Sequence, residues 1–338
     1  MDTNVELIER ARAGDGDAFR QLTDRHRREL HVHCYRLLGS VHDADDALQD
    51  TLVAAWQGIG GFEGRASIRT WLYRVATNRC LNVRRSTRRR RDRVWAVPDV
   101  EPIEPTRHGE VSWLEPYPDR LLDELVDLPP GPEARHEATE AISLAFVTAL
   151  QVLPPRQRAV LILRDVLGFH ADECAAMLQS TVESATSALK RARATMQRRA
   201  AESCHQDPPP TPGSPAEQAL AARLTRAYET GDIDGLVAML TDDVWVTMPP
   251  VPLEYQGRLL AQQFHRVVTF RQGRTYTLVP TRANGQLAFG AYLDDPDGGP
   301  RHASGVLVFT LSGDKVCNLT RFDNGVLDLF ELPRTLPV

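Results

Sequence analysis

The chain has 338 residues, with 42% hydrophobic and 25% charged positions, as expected of globular protein organised in two or three domains. The net charge of −5 excludes a uniformly basic nucleic-acid coat. No run of eighteen apolar residues suggests a membrane span, and Met1-Asp2-Thr3-Asn4 is unlike a secretory leader. The charge is unevenly distributed: +5 over residues 1–93, −8 over 94–137, +2 over 138–206 and −4 over 207–338. The five cysteines are scattered, with no Cys-x-x-Cys pair, which fits a reducing cytoplasm rather than a disulfide or zinc framework.

In chain order, Val5, Ile8 and Ala11 recur at helical spacing until Gly14-Asp15-Gly16. Asp17 is placed to cap the next helix, which carries Phe19, Leu22, Leu30, Cys34, Leu37 and Leu38 and stops at Gly39-Ser40. A helix over Asp43–Gln57 is expected to bury Ala47, Leu48, Leu52, Ala55 and Trp56 and to expose Asp46, Gln49 and Asp50. The glycine-marked loop Phe62–Ser67 leads into a helix with Trp71, Arg74, Asn78, Arg79 and Asn82. That helix runs into an arginine cluster at 84, 85, 88–91 and 93. Aromatic rings interleaved with Arg and Asn suit single-stranded DNA, where rings stack on bases and guanidinium groups neutralise phosphates.

Residues 93–137 read as an acidic, proline-rich linker holding one aromatic island, Trp113-Leu114-Glu115-Pro116-Tyr117-Pro118. Residues 138–204 return to helical spacing. A short helix over Ala171–Leu178, a turn at Gln179-Ser180 and a polar-basic helix from Thr181 form helix-turn-helix patterning. A second proline-rich linker spans 205–215. Residues 216–338 then read as two helices, a strand Val244–Met248 and a helix Leu259–Val268. Four strands follow: Tyr276–Arg282, Gln286–Leu293, Ala303–Leu311 and Val316–Phe322. That order predicts an α+β domain with a curved sheet wrapped on helices.

Two stretches resemble the bacterial sigma factors of the extracytoplasmic-function type. Asp43-Ala44-Asp45-Asp46-Ala47-Leu48-Gln49-Asp50 is similar to their acidic D-A-E-D-x-x-Q-D helix. Phe62–Ser67 with Thr70–Asn78 is similar to the following F-x-G-x-S-x-x-x-W-L-x-R-I-A-x-N run. The resemblance implies that residues 1–92 form a promoter-melting, polymerase-docking domain. In it Asp46, Gln49 and Asp50 face the β′ clamp helices of core RNA polymerase. Arg65 and Ser67 line a pocket for a flipped base, and Trp71, Arg74, Asn78, Arg79, Asn82, Arg84 and Arg85 serve the −10 strand. Leu150–Val160 resembles the entry to the family's −35-binding domain. Ser184, Thr186, Ser187, Lys190, Arg191 and Arg193 then become the candidates for the −35 duplex. Where many relatives carry V-R-S-R, this chain has Ala185-Thr186-Ser187-Ala188, implying an altered −35 readout because a bidentate arginine contact is worth about 1–3 kcal/mol.

The last domain resembles the SnoaL-like fold. The implied architecture is multidomain: two all-α sigma domains, the second a helix-turn-helix, then an α+β cone with a curved antiparallel sheet. The implied partners are core RNA polymerase through β′ and β, promoter DNA, and the C-terminal domain acting in cis. Trp113, Leu114 and Tyr117 are expected to dock between domains, against the cone and the promoter-melting domain. The alternative is a DNA-binding protein fused to a small-molecule-binding or enzymatic cone, with Asp243, His265 and Asp323 as acid/base candidates. No pair among them has diagnostic spacing, so no catalytic residue, cofactor or metal is assigned. His31, His33 and Cys34 diverge around a helix, and Cys174 near His170 belongs to the helix-turn-helix core.

Overall fold

The computed structural model describes residues 3–87, 95, 100–111, 113–123, 141–202 and 207–337. The arginines at 88–91 and 93, Cys204, and linker residues 124–140 lie outside the described residues, as do the side chains of Arg84 and Arg85. The chain forms two compact units. Met1–Arg90, Leu121–Ala141 and Phe146–Arg199 make the first; Arg91–Arg120, Ile142–Ala145 and Ala200–Val338 make the second.

The first unit is helical. Helix α1 spans Thr3–Arg12 and α2 spans Gly16–Leu38. The cap of α2 is Asp15, not Asp17: its backbone is extended, and its carboxylate accepts the N–H groups of Asp17 and Ala18 at 2.9 and 3.0 Å. Helix α2 ends at Gly39, whose φ of 77° closes the last turn through a bond to the Tyr35 carbonyl. Only glycine fits there, because a Cβ would lie 2.9 Å from the Gln151 side chain. Helix α3, Val41–Gly58, is capped by Ser40 and buries Ala44, Ala47, Leu48, Thr51 and Ala55. Trp56 stays 38% exposed, edge-on to Phe19, because it lies at the rim of the buried stripe rather than inside it. Helix α4, Ile68–Thr87, starts where Ser67 Oγ accepts the Thr70 N–H.

Helices α5 (Leu144–Val152) and α6 (Pro155–Leu161) follow, with α6 running on through a π-turn at Ile162–Val166. Helices α7 (Ala171–Met177) and α8 (Val182–Glu202) complete the helix-turn-helix. A buried arginine, Arg158 on α6, ties these helices to α2. Its guanidinium donates to the carbonyls of Leu37, Gln151 and Leu153 and to Gln151 Oε1. Gln151 in turn donates to the Arg36 carbonyl at 3.1 Å. The last carbonyls of a helix have no partner within it, so a cation placed there meets both their hydrogen-bonding need and the helix dipole.

The second unit is a sheet in the order β1-β3-β2-β7-β6-β5-β4, with β8 beside β6. The strands are β1 Arg107–His108, β2 Leu240–Met248, β3 Val251–Gln256, β4 Tyr276–Ala283, β5 Gln286–Leu293, β6 Arg301–Ser312, β7 Lys315–Phe322 and β8 Thr335–Leu336. Helices α9 (Pro215–Thr230), α10 (Ile233–Ala238) and α11 (Arg258–Phe264) join one core with Val244, Val246, Tyr255, Leu278, Phe289, Phe309 and Leu319. Alternate strand residues supply that face, as the two-residue period requires. The expected sheet was antiparallel throughout, but β2 and β7 run parallel. The meander β4-β5-β6-β7 returns its last strand beside β2 in the same direction as β2. Strands β1, β3 and β8 were not foreseen. Two of them are two-residue edge pieces, and β3 follows the prolines Pro249-Pro250 and contains Pro252.

Replacing Arg158 with Ala should destabilise the helical unit by about 3 kcal/mol, because several buried carbonyls lose their donor together. Urea unfolding followed by far-ultraviolet circular dichroism measures this, and Arg158→Lys should recover only part of the loss.

Candidate functional site

The residues singled out in the helical unit fall on three surfaces. The first is the outer face of α3. Asp46, Gln49 and Asp50 are exposed, while Ala47 and Leu48 between them are buried. Spacing of three and four residues puts all three on one stripe. Exposed Val53 continues it, so the acid face borders an apolar patch. Asp45 is turned aside to His31 at 3.1 Å.

The second surface surrounds the loop after α3. Phe62 is buried and packs its ring 5.3 Å from that of Trp71. Gly58 lies under Trp71, where a Cβ would come within 3.6 Å of the indole. Gly64 holds φ at 74° with open space around it, so its requirement is for conformation and not for room. A cavity of about 560 Å³ results, lined by the loop, by Arg65, Trp71 and Arg74, and on its far wall by Asp172, Glu173, Ala176 and Met177 of α7. Arg65 pairs with Glu63. Ser67 does not line this cavity; its hydroxyl is used in capping α4. Arg79 and Asn82 are exposed further along α4. Asn78 is half-buried and donates to the Arg74 carbonyl at 2.9 Å and the Met177 carbonyl at 3.3 Å.

The base of α4 is held by a charged cluster. Glu29 accepts from Arg69 at 2.9 Å and from the Tyr73 hydroxyl at 3.1 Å, and His26 contacts its other oxygen. Burial opposes the Glu29 charge, but the His26 hydrogen bond and the Arg69 cation outweigh it and keep the carboxyl below its ordinary range. Arg69 also lies over the rings of Tyr73 and Phe169 at 4.9 and 5.5 Å. Beneath it His33 is fully buried. Its Nε2 sits 2.8 Å from the Thr77 hydroxyl, and its Nδ1 has no hydrogen-bond partner among the described residues. Thr77 gives its own proton to the Tyr73 carbonyl, so the assigned tautomer carries hydrogen on Nε2. Burial pushes the His33 pKa down to about 3.

The third surface is α8. Ser184, Thr186, Ser187, Lys190, Arg191 and Arg193 are all exposed, whereas Ala185, Leu189 and Ala192 pack inward. Arg193 forms a two-pronged bond with Asp165 at 2.9 and 2.6 Å. The exposed site at 186 presents a threonine hydroxyl.

In the second unit the linker island is part of the fold. Tyr117 is buried, Leu114 is buried and Trp113 is half-buried. Residues 103–109 lie along β3: Arg107 stacks on Trp245 at 4.1 Å and pairs with Glu254 at 2.6 Å, and the Tyr255 hydroxyl donates to the Ile103 carbonyl. The acid/base candidates occupy unlike settings. Asp243 is exposed, Asp323 caps the turn at Asn324–Phe330, and His265 is buried among Tyr228, Phe264 and Phe270. Burial holds His265 down to about 4. Among the described residues no group of three or more His, Cys, Asp or Glu is arranged to hold a metal. Sequence reasoning missed Arg158, Gln151, the α7 wall of the cavity and Asn284. For the last a signal existed: Asn284-Gly285 between two strands marks a hairpin turn.

Residues 22–90 match the family model for sigma-70 region 2, and residues 143–196 that for sigma-70 region 4. The ECF RNA polymerase sigma factor SigG of Mycobacterium tuberculosis is 39% identical over 333 residues, covering 96% of this chain and 86% of that protein. The ECF RNA polymerase sigma factor SigM of the same species is 31% identical over 196 residues, 58% of this chain and 84% of the relative. The crystal structure of the M. tuberculosis extracytoplasmic function sigma factor SigJ shares the fold, with a TM-score of 0.60 and 22% identity, and covers 91% of this chain and 97% of that one.

The buried His33 gives a pH dependence of known sign. Its folded pKa lies below the unfolded value of 6.5, so the unfolded chain binds more protons as pH falls. Its contribution is complete above about pH 6.5 and is lost on acidification at on the order of 1 kcal/mol per pH unit. Unfolding midpoints between pH 6.5 and 4.5 should fall in the wild type and fall less steeply in His33→Gln.

Proposed function

Because the chain belongs to the extracytoplasmic-function sigma factors of RNA polymerase, we propose that its three surfaces divide that family's work among named residues. As a sigma factor it binds core RNA polymerase and promoter DNA to start transcription. Asp46, Gln49 and Asp50 dock on the β′ clamp helices. The observation that carries this is their shared exposure on one stripe of α3 while every residue between them is buried. The cavity bounded by Phe62, Arg65, Trp71 and Arg74 takes a base flipped from the −10 element, with Asn78, Arg79, Asn82, Arg84 and Arg85 along the strand. Flipping a base costs a few kcal/mol, which a preformed cavity and phosphate contacts offset. The exposed face of α8 reads the −35 duplex, with Thr186 and Ala188 where the family resemblance leads one to expect arginines.

The C-terminal unit regulates in cis by binding the connection between the two promoter-binding regions. The packing of Ile103, Arg107, His108, Tyr117 and Asp119 against its sheet supports this reading. Catalysis by this unit is not favoured: the His265 imidazole is enclosed by aromatic rings, and the candidate carboxylates Asp323 and Asp243 serve as a cap and face solvent, respectively. The protein acts where polymerase and promoter meet, in the cytoplasm. No described helix is long and apolar enough to cross a membrane.

Asp46→Arg with Asp50→Arg should reduce co-elution with core polymerase by at least tenfold while leaving the circular dichroism spectrum unchanged. Retained co-elution removes the docking assignment. Ending the chain after Glu202 should change the rate of promoter-specific transcription by core polymerase. An unchanged rate, together with no effect of Trp113→Ala, removes cis-regulation by the tail.

A further inference from the structure

The chain visits the tip of the β4–β5 hairpin twice. On the first visit the Tyr117 N–H donates to Asn284 Oδ1 at 2.8 Å, and the Asn284 N–H donates to the Tyr117 carbonyl at 2.8 Å. Pro118 bridges to Ala283, and Asp119 accepts from the Gly285 N–H at 2.7 Å and from Arg282 at 3.3 Å. On the second visit, 25 positions later in sequence, the Ile142 carbonyl accepts from Asn284 Nδ2 at 2.7 Å. The Leu144 N–H then donates to Gln286 Oε1 at 3.1 Å. One carboxamide joins both visits.

Asparagine suits this position on two grounds. The turn needs φ of 57° at position 284, which asparagine tolerates better than other side chains with a Cβ. The joint needs one acceptor and one donor on a single short group, which a carboxamide supplies and a carboxylate does not. Asn284 is completely buried, so its side-chain bonds to Tyr117 and Ile142 are made away from competing water.

Tyr117 lies after the −10 region in the chain and Ile142 lies before the −35 region. We propose that Asn284 sets the promoter spacing this sigma factor accepts, by holding Tyr117 and Ile142 on one side chain. This rests on the assignment of residues 65–85 to the −10 element and of α8 to the −35 element. An extended residue spans at most about 3.3–3.6 Å, and duplex DNA rises 3.4 Å per base pair. One residue of free connection is thus worth about one base pair of reach. With the joint closed, the positions between Tyr117 and Ile142 add none. With it open, Pro118, Asp119 and Arg120 stay on the sheet unit while the contour from Leu121 to Ala141, roughly 70 Å, becomes available. A closed joint therefore gives a narrow spacing preference, and an open one a broad preference.

The test uses the full-length chain with core polymerase, on −10 and −35 elements selected from a random library by the wild-type holoenzyme. Spacing is varied one base pair at a time. Asn284→Gly keeps the left-handed turn and deletes the side-chain bonds to the Tyr117 N–H and the Ile142 carbonyl, the two that join the visits; Asn284→Asp keeps the acceptor alone. The expected result is a sharp optimum for the wild type. Asn284→Gly should keep its optimum within about threefold, and transcription two base pairs away should rise at least fivefold relative to that optimum. Hydrogen exchange at the Tyr117 and Leu144 amides should speed up in the same variant, with β5, β6 and β7 unchanged. Profiles of the same shape in wild type and variant, at whatever height, overturn the proposal. So does unaltered exchange at both amides. A wild-type profile indifferent to the −35 element overturns the underlying assignment and this proposal with it, whereas −35 dependence with identical profiles overturns this proposal alone.

Discussion

The helical unit depends on how helix α2 ends. Gly39 closes the helix and leaves its final carbonyls pointing toward α5 and α6. Gln151 and Arg158 answer them from that side. A guanidinium buried in this way is stable because both of its terminal nitrogens point at oxygens. The same geometry excludes a side chain at position 39, where Gln151 already lies. Three features distant in sequence thus form one constraint, and the placement of the helix-turn-helix within the unit follows from it.

The second unit solves a different problem. A sheet leaves unpaired backbone groups at its edges, which are templates for unwanted pairing. Here the linker covers one of them: Thr106, Arg107 and Gly109 bond along β3, and Arg107 closes over Trp245. The tip of the β4–β5 hairpin is met by Tyr117, Asp119 and Ile142. A segment whose composition suits a solvated tether is therefore ordered by backbone bonds that its own side chains do not advertise.

That difference explains what could be read from the sequence. Helical spacing exposed α2, α3, α4 and α8, and the two-residue period exposed β4 to β7, because each buries one face against a large core. The acid stripe at Asp46, Gln49 and Asp50 was legible for the same reason: its neighbours Ala47 and Leu48 are plainly core. Strand β1 was not, since two residues carry no period and their order comes from β3. Arg158 was read only as part of the Leu150–Val160 motif, because the Leu37 carbonyl that gives it its tie to α2 lies 121 positions away. Trp56 was assigned to the core with the apolar stripe of α3, although its place on that helix puts it at the rim. Asn284-Gly285 announced a turn, but nothing local announced what the turn would hold.

The far wall of the cavity beside Trp71 has a consequence for affinity. In this conformation Asn78 is engaged by the Met177 carbonyl, and Asp172 and Glu173 present carboxylates to the space next to Arg65 and Arg74. The helix-turn-helix is thus an internal competitor for the surface assigned to single-stranded DNA, with negative groups of its own. On the proposed assignment, a strand running along α4 past that cavity would compete with these groups, and the apparent dissociation constant of the free chain would rise by the inverse of the fraction in which they stand aside. Any partner that separates the two regions lowers that constant without touching the DNA.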